Sequence, residues 1–292
     1  MLGTKRRKIV VGILAIIILC IGGGWWWLTG LLGDRYVDQP RVVGLPPDYN
    51  PMAPTEPYSG EHPALLERPD DPYAYPIPIG ETGPVKPTYT DYLEYPYACR
   101  SEGSNLGQPL VDNQEGIGTP VYAIDEFGNK SDEIIGYSRD CSLPTAVLYY
   151  YRNTETGEFE PYDTESQNIE MISLNGETIP FVVRIEIGTI NRHIYVITML
   201  RGPDDRSGAP DLTYWNRKLV YQLRGGVGIG RRQGRIPMYY IPNRNREQLM
   251  AGYAVAYSTG NQTSNTYDIQ LAEDTLARVK RQFTARYGEP LY

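Results

Sequence analysis

The residues with the clearest chemical potential are the glycines of RGGVGIGRRQG at 224–234, which follow the apolar run KLVYQL at 218–223. A glycine-rich turn after a strand can cradle a dinucleotide, but that use needs G-x-G-x-x-G opening directly onto a helix. Here Gly226, Gly228 and Gly230 are spaced GxGxG, and Arg231, Arg232, Gly234 and Pro237 follow, so no helix starts at the loop. The spacing predicts no bound cofactor. Two uses remain. One is a plain structural turn. The other is a wide backbone turn after a central strand, of the kind that can supply an oxyanion-hole N–H in α/β-hydrolases. Arg231 and Arg232 could hold an anion, although loop arginines are usually solvated or paired.

Other catalytic patterns are missing. There is no G-x-S-x-G elbow, and Gly136-Tyr137-Ser138 lacks the second glycine. The only histidines are His62, in a proline-rich stretch, and His193, in an apolar run that reads as a buried strand. A satisfied core or surface imidazole, rather than a catalytic base, is the expectation for His193. Acidic residues are plentiful but form no pair that the sequence places in one cleft, and no cysteine spacing fits a metal. Cys99 and Cys141 are separated by 42 positions. They read as a disulfide in an oxidising compartment, or else as two buried thiols; export favours the first.

Export is inferred from the N-terminus. Lys5, Arg6, Arg7 and Lys8 precede an uncharged stretch at 9–32 that ends in Trp25, Trp26 and Trp27 near its outer side. About 20 apolar residues cross a hydrocarbon core about 30 Å thick. Basic residues stay inside and Trp collects at the interface. The expectation is a single-pass anchor in a bacterial inner membrane, with the remainder periplasmic. A cleaved signal peptide would have a shorter apolar region and a small-residue cleavage site. Beyond residue 33 the chain carries 24 bases against 35 acids, a balance of −11 that argues against nucleic-acid binding.

The elements that must position any site follow in order. Residues 34–97 hold 14 of the 24 prolines, with Tyr49, Tyr58, Tyr73, Tyr75, Tyr89 and Tyr92 among the interspersed aromatics. Proline disfavours sheet and long helix, so this segment reads as a spacer or as an extended strap whose tyrosines touch a partner. Residues 98–202 read as β-rich, with runs at 119–124, 133–138, 146–152, 179–188 and 191–200, and a hairpin turn at Gly128-Asn129. Residues 203–292 read as α/β: strands at 218–223 and 252–258, a short helix at 244–251, and a long helix on which Ile269, Ala272, Leu276, Val279 and Phe283 recur at helical spacing. Asn265 is its expected cap. The expected fold is one transmembrane helix, then a mixed α+β domain whose β-rich part precedes a partial α/β-hydrolase-like sheet.

The segments GQPLVDNQEGIGTPVY, VRIEIGTINRHIYVITMLRGP, WNRKLVYQLRGGVGIGRRQG, GYAVAYSTGN and AEDTLARVKRQFTARYGEP carry a resemblance. In order and spacing the chain resembles the N-terminal part of a family of exported bacterial proteins, α/β-hydrolases similar to tannases and other esterases. Two departures matter. Cysteines of the family are replaced by Val227 and by Ser264-Asn265-Thr266. The family's serine elbow would follow the turn at Gly288–Pro290, so the resemblance implies a part without its nucleophile. Gly225 and Gly226 would then be a vestigial oxyanion-type loop.

The expected function is a non-catalytic accessory subunit of a larger membrane complex, respiratory or photosynthetic. Other subunits and the lipid bilayer are its expected partners. The alternatives are the front half of a split esterase and an anion- or nucleotide-binding module at 225–230.

Overall fold

The computed structural model describes residues 69–291 apart from Asp91, Tyr92, Glu94 and Ile229. Among the described residues a short 3-10 helix at Glu102–Ser104, ten strands and three α-helices follow one another. The strands are β1 (Thr119–Ile124), β2 (Lys130–Ser138), β3 (Ala146–Arg152), β4 (Phe159–Pro161), β5 (Met171–Leu174), β6 (Glu177–Pro180), β7 (Val182–Ile190), β8 (His193–Leu200), β9 (Leu219–Arg224) and β10 (Ala254–Gln262). The α-helices are α1 (Tyr240–Arg244), α2 (Arg246–Met250) and α3 (Ile269–Tyr287).

Six strands make one sheet in the order β4-β3-β7-β8-β10-β9. All neighbours are antiparallel except β9 and β10, which are parallel and joined by a crossover through α1 and α2. A parallel pair requires such a crossover. The boundary expected at 202/203 is therefore not a seam, because the sheet draws strands from both sides of it. β1–β2 and β5–β6 form separate hairpins. In the first, Gly128 supplies the positive φ of the turn.

The strand alternation builds two cores. Val183, Ile185, Ile187, Ile194, Val196, Val255 and Tyr257 face one side, against Ile236, Ile241 and Leu249. Tyr195, Ile197, Met199, Ala254 and Ala256 face the other, against Val279, Phe283 and Tyr287 of α3. The two alanines leave room for the helix. Burying a side chain such as Phe283 contributes about 1.5–3 kcal/mol. Asp268, not Asn265, caps α3: its carboxylate accepts from the Leu271 N–H at 3.0 Å. Gly288, at φ +91°, ends the helix.

The expected membrane anchor is corrected. Among the described residues no helix is long and apolar enough to cross a membrane. The longest, α3, has 19 residues but carries Glu273, Asp274, Arg278, Lys280, Arg281 and Arg286, which a hydrocarbon layer would exclude. What is described is β-rich with few helices. The span at 9–32, with Lys5, Arg6, Arg7, Lys8, Trp25, Trp26 and Trp27, lies outside the described residues. The single-pass, inner-membrane placement has no structural support.

Candidate functional site

The carboxyl ends of β9 and β10 lie side by side, with Arg224 in register with Gln262. Crevices beyond the carboxyl ends of parallel strands are where open α/β sheets bind ligands. A cavity of about 560 Å³ opens there, lined by Arg100, Arg224, Arg232, Gly234, Arg235, Pro237, Tyr240, Gln262 and Asn265.

Each wall has a local cause. Arg224 ends β9, and its guanidinium stands over the Tyr240 ring at 4.6 Å. Tyr240 opens α1, a turn compatible with proline because Pro242 sits in its first turn. Arg232 donates from Nε to Asn265 Oδ1 at 3.2 Å, and its backbone N–H donates to the Asn265 carbonyl. Asn265 is itself buried and donates to the Thr259 carbonyl at 2.9 Å. The loop can follow this path only with glycine at two places. A Cβ on Gly228 would lie 2.5 Å from the Ser264 carbonyl oxygen, and one on Gly234 would lie 2.2 Å from Asn265 Nδ2.

A second tether comes from the disulfide. Cys99 and Cys141 are bonded, with Cα atoms 5.2 Å apart. Gln233, fully buried, joins this link to the cavity. Its Nε2 donates to the Cys141 carbonyl at 2.7 Å, and its Oε1 accepts from the Arg100 N–H at 2.9 Å. Its backbone carbonyl accepts from Thr259 Oγ1 and lies 3.3 Å from His193 Nδ1.

His193 is a core residue, as expected. It is fully buried, its ring lies 5.1 Å from that of Tyr97, and burial pulls its pKa down to about 4. Gly225 and Gly226 are exposed where β9 ends and adjoin the cleft through Arg224. The Gly226 carbonyl accepts from Thr263 Oγ1 at 2.7 Å. Gly228 is closed off, since its N–H donates to Tyr267 Oη and its carbonyl accepts from the same hydroxyl, each at 2.8 Å. Of the two arginines singled out on this loop, Arg232 lines the cavity, whereas Arg231 sits over the Tyr95 ring at 4.5 Å. Arg100, Arg224 and Arg235 were not signalled. Arg224 and Arg235 bracket the glycine loop itself, whereas Arg100 comes from a distant stretch and is held beside them through Gln233 and the disulfide.

The tyrosines expected to meet a partner face their own domain where they are described. Tyr73 donates to the Thr82 carbonyl at 2.6 Å, Tyr75 to Asp71 Oδ2 at 3.2 Å, and Tyr89 to Asp268 Oδ2 at 2.9 Å. Burial, with the neighbouring Asp268 for Tyr89, raises the phenol pKa of both Tyr75 and Tyr89. Tyr49, Tyr58 and Tyr92 lie outside the described residues. The stretch from 69 to 97 is extended, but it is docked along α3. Arg278 holds Asp71 with two nitrogens, at 2.9 and 3.0 Å, and Gln282 accepts from the Ile77 N–H at 2.7 Å.

Beneath α3 lies a polar cluster that the alternation concealed. Arg184 and Glu186, on β7, are fully buried rather than outward-facing. Arg184 pairs with Asp205 at 2.8 Å and donates to the carbonyls of Arg206 and Ser207. Glu186 accepts from Tyr195, Gln282 and Tyr287 and pairs with Arg286 at 2.8 Å. With its charges matched and its lone pairs occupied, this cluster is built to hold the helix to the sheet.

Residues 92–292 match the tannase-like family of unknown function (DUF6351), and the chain belongs to that family. Membership is compatible with hydrolase ancestry. No curated protein and no solved structure gives a significant match.

Proposed function

We propose, with membership of the tannase-like family as the premise, that this domain is a non-catalytic accessory module that binds its ligand without turning it over. The observation that supports this reading is the furnishing of the cleft. Its lining is arginine, glutamine, asparagine, glycine, proline and one tyrosine. Acyl transfer needs a nucleophile beside a group that exchanges protons near neutral pH. Guanidinium stays charged across that range. His193 is fully buried in the core and is not among the lining residues.

The test is direct. The full chain is incubated with an aryl ester and, separately, with a serine-reactive fluorophosphonate. No turnover above buffer and no covalent adduct are expected. Stoichiometric labelling of one serine with matching ester hydrolysis would overturn the reading.

One observation favours a second reading, the front half of a split esterase. β9 is the terminal strand of the sheet among the described residues, and Gly225-Gly226 sits at its carboxyl end. A strand from another chain could add there and bring a nucleophile to the glycine turn. Ester hydrolysis that appears only when a second polypeptide bearing a serine elbow is added would favour this reading over the first.

A further inference from the structure

We infer that the arginine cleft is a binding site for a small oligoanion, a molecule with at least two carboxylate or phosphate groups. This rests on the reading of the domain as a binding module and names the ligand class of that module.

The cavity gathers four guanidinium groups, from Arg100, Arg224, Arg232 and Arg235, and no carboxylate lines it. Among the described residues none of the four is in an ion pair. In a chain with 35 acids against 28 bases, that is the reverse of what surface charge would deliver by chance. Four like charges around one cavity repel, and a bound counter-charge relieves that repulsion.

Two of the groups are also oriented. Asn265 holds Arg232, and Arg224 rests on the Tyr240 ring. A guanidinium fork matches a carboxylate or phosphate with two parallel hydrogen bonds. A single small oxyanion engages one or two such forks, so four of them fit negative charge at separate points of one ligand. The volume of about 560 Å³ is that of a small-molecule pocket. The glycine loop does not compete for this role, because Tyr267 occupies the Gly228 backbone. The overall acidity sets nucleic acid aside.

The experiment titrates citrate, inorganic pyrophosphate and acetate into the full chain at fixed ionic strength, read by calorimetry and by thermal unfolding. Saturable binding of citrate or pyrophosphate is expected, with none for acetate. Citrate alone marks an organic polycarboxylate, pyrophosphate alone a phosphoryl ligand, and both the shared oligoanion chemistry. Arg224→Gln and Arg232→Gln should each weaken binding roughly tenfold. Lys280→Gln, exposed on α3 and outside the lining, should leave it unchanged. The inference is overturned if neither oligoanion binds, or if Lys280→Gln weakens binding as much as the arginine variants do.

Phenylglyoxal modification of the wild-type chain, mapped by peptide mass, needs no substitution. Protection by the oligoanion should be confined to Arg100, Arg224, Arg232 and Arg235; absent or uniform protection overturns the site. Fluorophosphonate labelling with intact anion binding would remove the non-catalytic reading and leave this site standing. The converse result would do the opposite.

Discussion

Tyr287 donates a 2.6 Å hydrogen bond to Glu186, joining the last turn of α3 to the middle of β7 through a fully buried carboxylate. Burial, reinforced by the Glu186 charge, holds the Tyr287 phenol protonated far above its usual range. A hydrogen bond to a buried charge is among the stronger single contacts in a fold. Tyr287→Phe should lower the unfolding free energy by about 2 kcal/mol in urea melts. An unchanged midpoint would show that the carboxylate is satisfied without it.

The Cys99–Cys141 link closes a loop of 42 residues. On chain entropy alone its removal should cost about 4 kcal/mol. Cys141→Ser with Cys99→Ser is the clean comparison, measured against the oxidised chain. Because Gln233 spans from Cys141 to Arg100, the same variant should also loosen Arg100. Anion affinity should then fall even at temperatures where the domain stays folded.

The buried His193 gives an acid limb to stability. Its folded pKa is about 4, against 6.5 for a free imidazole. The unfolded chain binds that proton more readily, so stability is full above pH 6.5, declines as pH falls, and the loss is complete below about 4. The total is about 3 kcal/mol at 1.36 per unit. His193→Gln should flatten that limb in denaturant titrations at stepped pH. Asp71 acts in a separate window. Burial opposes its charge, but the hydrogen bonds from Arg278 and from the Tyr73 backbone outweigh burial and lower its pKa. Its contribution is present above 3.8 and is lost only as pH falls below that.

Asp71→Asn should uncouple the docked segment. It leaves Arg278, itself almost fully buried, without its bidentate partner. Breaking one side of such a pair costs about 3–5 kcal/mol. Hydrogen exchange should rise first in residues 69–90; a uniform rise across the sheet would count against a local role.

Gly234→Ala tests the cleft's architecture. The position is at φ +76°, and the added carbon meets the Asn265 side chain. A loss of at least about 1 kcal/mol is expected, together with weaker anion binding because Asn265 orients Arg232. Full affinity in the variant would separate Asn265 from the site.

Local pattern carried much of this fold. The runs at 119–124 and 146–152 became β1 and β3 with the same bounds, and apolar spacing located α3. Other features depend on distant contacts. Arg184 and Glu186 alternate with Val183, Ile185 and Ile187 as surface residues would, and only the helix laid over that face buries them. The proline-rich character at 69–97 was legible, but its docking was not. That docking rests on Asp71, Ile77 and Tyr89 meeting residues some 180–210 positions away. The cleft was half visible through Arg232. Arg224 and Arg235 flank that same loop without any pattern that marks them, and Arg100 lies in a stretch with no signal of its own.

The docked segment also decides how the domain would bear mechanical load. From Asp71 to Tyr89 it runs along α3, tied at Arg278, Gln282, Arg286, Asp274 and Asp268. Tension applied at residue 69 therefore enters through the helix, in shear across several side-chain bonds. It does not peel a strand from the sheet one hydrogen bond at a time. A pull from that side would be resisted by the Asp71–Arg278 ion pair and the side-chain hydrogen bonds at Ile77, Thr88 and Tyr89 acting together.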